Sequence, residues 1–304
     1  MVLIPGSPAP REAWRIGLRG AALETGLFEQ LEQLTGIEYH PLSLGNSQTG
    51  TFDFCEEMGV TFPDPDNNIM WRAWGIWAAE TCYTIGGGST GVEEAHARAI
   101  AKLERQTSHL TEEVLWTGLL DVGTDFATLN TTMTPNTHNR PFADNNATLF
   151  DGGGAHDIVD ALGHLCEWVA TVAGGERMWI HVEPKLIPFL SFYGSAIRES
   201  SRGLGLALGE HRIVAGTGYA GTGPPAEVTQ SGESWIYVTT PVRFFETPII
   251  PLEADAGQML NREKNRYEVA ASRLVLAEWD LTVHGAIRVC TPGPGPDCTS
   301  TSGS

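Results

Sequence analysis

Lysine is nearly missing from this 304-residue chain, which has only Lys102, Lys185 and Lys264. Nineteen basic residues face 37 acidic ones, and the formal net charge is −18 at pH 7. So acidic a surface has no general attraction for phosphate backbones, which argues against specific nucleic-acid binding and leaves non-specific contact with DNA at most. Cysteine is sparse too. Cys55, Cys82, Cys166, Cys290 and Cys298 are odd in number and form no C-x-x-C pair, so reduced thiols in a cytosol are expected. No apolar run approaches the ~20 residues of a membrane span. The opening MVLIPGSPAPREAWR lacks a basic segment followed by an apolar core, so no signal peptide is expected. The phosphate loop G-x-x-x-x-G-K-[ST] is also missing.

Glycine, in contrast, is abundant, with 35 residues beside 18 prolines. Gly216-Thr217-Gly218-Tyr219-Ala220-Gly221 is a literal G-x-G-x-x-G. In a dinucleotide site that turn must open a helix whose N-terminal N–H groups hold the pyrophosphate. Here Thr222-Gly223-Pro224-Pro225 follows, and proline together with the residue before it blocks a helix start. The stretch is therefore read as a glycine-rich loop between two strands, and no cofactor is expected. A nucleotide-dependent enzyme using Gly216–Gly221 is the remote alternative.

Other chemistry is equally incomplete. His181-Val182-Glu183 has the H-x-E of zinc deaminases without the P-C-x-x-C that completes their site, so His181 is read as structural and no metal is expected. His156, His164 and Cys166, eight and two residues apart, do not share a helix face. No carboxylate pair is singled out for acid/base work, and no catalytic residue or enzyme activity is expected.

Periodicity gives the element order. Leu23, Leu27, Leu31 and Leu34 suggest a short helix. Residues 51–58 and 70–85 read as two extended strands around the turn-rich TFPDPDNN. Thr90 with Glu93 forms a capping box for a long helix. Ala99, Leu103, Leu110, Val114, Leu115 and Trp116 form its apolar stripe, and Gly118 stops it. Its ~26 residues would span roughly 39 Å. A second amphipathic helix covers 155–173, MWIHV is a buried strand, and EPKLIPFL begins a third helix. Strands are expected around Pro241, within 234–247, and at 267–277 and 281–289. The class is α+β. Trp71, Trp74 and Trp77 recur every three residues before the long helix. They belong either to the chain's own core or, as an exposed apolar patch, to contact with a neighbouring subunit.

The C-terminal third carries a resemblance. Ile213-Val214, the glycine turn, SWIYVTTPVRFFETP, an acidic linker, Asn265 through Arg273-Leu274-Val275-Leu276-Ala277 and a last strand follow one another. This resembles the end of the major capsid proteins of tailed bacteriophages, the Hong Kong 97 fold. The resemblance implies an N-terminal arm (1–47), an extended hairpin loop (48–90) and a peripheral domain with a spine helix (91–150). It further implies an axial domain (151–258), a return to the peripheral domain (259–290) and a flexible tail (291–304). It implies a subunit that self-assembles through hexamers and pentamers into an icosahedral shell around a phage genome. Scaffolding, portal or decoration proteins would be its further partners. Its place would be the virion, and the host cytoplasm during assembly. On this reading Trp71, Trp74 and Trp77 are inter-subunit contacts, and Gly216, Gly218 and Gly221 form a loop at the capsomer centre. An encapsulin-type nanocompartment shell is the alternative. The arm begins within about 50 residues of Met1, so no cleaved scaffolding segment is expected. Residues 48–90 hold no lysine, so Lys–Asn crosslinks between subunits are not expected.

Overall fold

The computed structural model describes residues 17–21, 25–27, 36–39, 69–83, 88–120, 126, 139–172, 177–192, 206–208, 211–252, 260–261, 266–281 and 283–291. Two sheets and one long helix organise them. The helix α2, Gly88–Thr117, is 30 residues long, about 45 Å at the usual rise. It begins two residues before the expected capping box, so Thr90 lies inside its first turn rather than at its cap. It ends as expected: Gly118 has φ 72° and its N–H donates to the Val114 carbonyl at 2.7 Å. Ala95, Ala99, Leu103, Thr107 and Thr111 recur every four residues along its buried face.

That face lies on the first sheet. Its central strand β14, Arg266–Glu278, pairs antiparallel with β4, Trp74–Tyr83, through ten consecutive residues. It also pairs with β11 (Arg243–Glu246), β12 (Ile250–Leu252) and β13 (Leu260–Asn261). The strand β1, Thr25–Leu27, joins β11 in parallel, Thr25 opposite Phe244. This corrects the helix expected from the leucine spacing. Pairing with β11 gives the backbone of 25–27 a ladder, and that tertiary contact overrides the local pattern; 28–35 lie outside the described residues. The turn α1, Leu18–Ala21, precedes β1.

The second sheet runs β5 (Thr148–Leu149), β15 (His284–Cys290), β10 (Glu233–Thr239), β7 (Trp179–Val182), β9 (His211–Ala215), β8 (Leu206–Leu208), with β6 (Ala155–His156) also on β15. It is covered on both faces, so β7 and β10 are buried at almost every position rather than at alternate ones. Trp235 and Tyr237 of β10 enter the core shared with α2. Ile236 and Val238 enter a second core under α3, Ile158–Val172. A short helix α4, Ile187–Phe192, follows β7. The chain leaves the second sheet after Thr239, joins the first at Arg243, and returns to the second with β15. This exchange is finer than a single return at residue 259.

The expected hairpin takes a different form. Strand β3, Ile69–Arg72, pairs with β2, Gly36–Tyr39, and β4 is built into the first sheet. Residues 51–58 and their turn lie outside the described residues. Cys290 is disulfide-bonded and Cys166 is free, so the expected set of five reduced thiols does not hold at Cys290.

Candidate functional site

The glycine loop joins β9 to β10, and its glycines are used for close packing. A Cβ on Gly218 would lie 2.2 Å from the His109 carbonyl oxygen and 2.5 Å from the Glu113 nitrogen, both backbone atoms of α2. A Cβ on Gly216 would meet the Tyr219 ring at 2.8 Å. Gly221 adopts φ 68°, and its Cβ would meet the Glu183 carboxyl at 2.5 Å. All three glycines are buried inside the subunit. The space beside these three glycines is filled by the chain's own helix and strands, while Thr217 and Ala220 of the same loop are exposed.

Two residues of α2 four apart hold the loop. Glu112 is fully buried. Its carboxylate accepts the Gly218 N–H at 3.1 Å and the Thr217 hydroxyl at 3.0 Å on one oxygen. The other oxygen accepts the Leu18 N–H at 2.7 Å and the Ser108 hydroxyl at 3.0 Å. Burial pushes its pKa up, against the lowering effect of these four bonds. Trp116 donates its indole N–H to the Thr222 carbonyl at 3.1 Å, and the Tyr237 hydroxyl donates to the same oxygen. Neither role was visible in sequence. Glu112 sits beside an apolar stripe, and its loop partners lie more than 100 residues away.

His181, expected to be structural, is buried between the Tyr219 hydroxyl (3.0 Å) and the Thr239 hydroxyl (2.8 Å) and stacks on Phe142. Burial, with the nearby His284, drops its pKa to about 3. Burial likewise drops His284 to about 4, although its ring lies 2.8 Å from the Phe142 carbonyl oxygen. Glu183 forms an ion pair with Lys185. His156 and His164 do meet, with ring centroids 5.2 Å apart, because His156 lies on β6 rather than on the helix. No group of three or more ligating side chains occurs among the described residues.

The tryptophans separate. Trp71 is 0% exposed, 4.5 Å from the ring of Trp279, and Trp74 is 3% exposed against Phe126. Their assignment as inter-subunit contacts is corrected: both belong to the subunit's own core. Trp77 is 49% exposed. In a strand, residues three apart point to opposite faces, which separates Trp77 from Trp74. Trp71 and Trp74 share a side because the strand breaks at Ala73, where Asn139 bonds both backbone groups of Arg72. Trp77, Leu110, Val114, Leu119 and Leu120, together with Glu113, line a largely apolar groove of about 540 Å³. Leu119, 63% exposed, forms its rim.

Neither a protein-family model nor a curated protein sequence matches the chain. Solved structures do. The capsid of an empty GTA particle superposes with a TM-score of 0.51 at 13% identity, covering 96% of both chains. The capsid of the native GTA particle gives the same values. The capsid of the Myoviridae phage XM1 gives 0.51 at 10% identity, covering 95% of this chain and 96% of that one. The fold is that of phage capsid subunits. The resemblance read in the C-terminal third thus extends, as fold, over almost the whole chain.

Proposed function

We propose that this chain is a major capsid protein, self-assembling through hexamers and pentamers into an icosahedral shell that encloses a phage genome. One observation carries the reading: the fold likeness to capsid subunits leaves almost nothing over on either chain, with 96% of each covered. On this reading α2 is the spine helix and the first sheet is the core of a peripheral domain. The second sheet with α3 is the axial domain, residues 1–47 supply an arm, and the extended loop is confined to the part of 48–90 that precedes β3, since β4 belongs to the first sheet. The subunit is a structural protein of the virion, assembled in the host cytoplasm, with scaffolding, portal or decoration proteins as partners. Among the described residues no helix is long and apolar enough to cross a membrane.

The surface that best fits contact with a second copy is the Trp77–Leu119 groove. Copies of a chain with net charge −18 repel one another, so they meet most readily on apolar patches with few charges; Glu113 is the one acidic residue that lines this groove. Trp77 and Leu119, two of the most exposed large apolar residues, share this one place. Purified protein imaged in negative stain and sedimented at micromolar concentration tests the reading. Closed shells or rings are expected; a monodisperse 32.8 kDa species under all assembly conditions overturns it.

A further inference from the structure

We infer that residues 17–21 and 25–27 form a strap that locks the two sheets to α2 and sets their relative orientation. Within eleven residues the chain touches all three bodies. The turn α1 closes with the Ala21 N–H on the Gly17 carbonyl at 3.0 Å, and Leu18 and Ala21 are buried in the main core. The Leu18 N–H donates to Glu112 of α2. The Ala21 carbonyl accepts Arg212 of β9, in the second sheet, at 2.8 Å. Thr25–Leu27 then completes the edge of the first sheet on β11.

Arg19 supplies the strap's charged tie. Its guanidinium donates to Glu104 of α2 at 2.9 Å and to Glu246 of β11 at 2.5 Å. Arg273 of β14 takes the other oxygen of each carboxylate, at 3.3 and 3.0 Å, and donates to the Thr247 carbonyl at 2.9 Å. Two arginines and two glutamates therefore alternate in a closed, neutral ring. Its inner half, Arg273 with Glu246, is buried, and losing one member there would strand a charge. Its outer half, Arg19 with Glu104, is partly in water and correspondingly weak. The strap is thus fastened to the interior by its main chain and by the Arg19 bond to buried Glu246, and closed at the surface by the weak Arg19–Glu104 pair. That combination suits a segment that opens locally while the sheets stay intact. In a shell, a consequence that rests on the capsid reading, the strap would fix the subunit shape offered to neighbours.

Hydrogen exchange by mass spectrometry on the full-length, unassembled chain tests the strap separately from assembly. In Arg19→Ala and in Glu112→Gln, amides of 17–27 should exchange roughly tenfold faster or more, as expected when a locally opening unit loses one or two hydrogen bonds. Amides of 211–218 and 243–247 should accelerate with them, and those of 234–238 and 285–289 should not. A change confined to 17–27, or no change, overturns the strap. If Glu112→Gln fails to fold, Arg19→Ala, at the partly exposed end, decides alone. Wild-type protein that shows the expected contrast yet forms no particles would sink the capsid reading and leave the strap standing.

Discussion

The tryptophan strand and the glycine loop both look like functional surface in the sequence, and they fail as surface for different reasons. Along residues 71–77 the outcome is set residue by residue. Trp71 and Trp74 point inward, Trp77 points out, and the strand break at Ala73 decides which. Along residues 216–221 it is set by the backbone, because α2 approaches so closely that only hydrogen fits at Gly218. Apolar side chains in a strand keep a choice of faces, whereas a glycine pressed against a helix keeps none. A candidate contact surface therefore survives in the first region, at Trp77, and none survives at the three glycines of the second.

The largest effect should come from the inward half of the tryptophan strand. Trp74→Ala removes a buried indole beside Phe126 and should cost about 3–5 kcal/mol of unfolding free energy, read by chemical denaturation. A loss below about 1 kcal/mol, far short of the usual cost of emptying a core, would return Trp74 to the surface. Next comes the loop. Gly218→Ala forces a methyl group against two backbone atoms of α2 that cannot rotate away. Overpacking of this kind costs about 1–3 kcal/mol, sometimes more. If the variant were as stable as wild type, the loop would have to stand off the helix.

A third test separates the regions by what holds them. The tryptophan strand rests on apolar packing, while the loop leans on buried groups that titrate. His181 and His284 ionise in the fold only near pH 3 and 4, against 6.5 for a free histidine. Between those values the unfolded chain binds protons that the fold does not, so stability falls as pH falls from 6.5. Each histidine contributes up to about 1.4 kcal/mol per pH unit within its window. Glu112 acts the other way: with its pKa raised in the fold, it takes up a proton on acidification more readily than the unfolded chain does. His181→Gln, which does not titrate, should flatten the dependence of stability on pH between 6 and 4. An unaltered slope would show that His181 is not buried against Tyr219.

Much of this architecture was legible because it is local or periodic. The long helix and its glycine stop, the strands around Pro241 and the apolar MWIHV strand announce themselves within a dozen residues. The blocked helix start after Gly221 was legible for the same reason. What was hidden depends on distant partners. Glu112 is a glutamate in a helix until Leu18, Thr217 and Gly218 converge on it. Thr25–Leu27 keeps a leucine spacing that suits a helix and becomes a strand only because β11 lies alongside. The break at Ala73 depends on Asn139, 67 residues from Arg72. No pattern of spacing near residue 73 records it.

The smallest effect on the isolated subunit, and the sharpest on the comparison, belongs to Trp77. Its ring lies half in water on the face of β4 opposite Trp74, so Trp77→Ser leaves no cavity in the core. Unfolding free energy should change by no more than about 0.5 kcal/mol, as for surface positions generally. Assembly should respond differently. A second copy covering this ring would bury up to ~200 Å² of it, worth several kcal/mol per subunit at ~25 cal/mol per Å² before the cost of ordering the contact. Because that term repeats at every contact of a shell, losing it should abolish or strongly reduce particles while circular dichroism and denaturation stay near wild type. Leu119→Ser, on the other wall of the groove, should act in the same direction and more weakly, since leucine buries less area. Two results would end the assignment. Particles formed at wild-type yield by Trp77→Ser would show that the groove is not a contact between copies. A loss of stability comparable to that of Trp74→Ala would show that Trp77, like its two neighbours, is covered by its own chain.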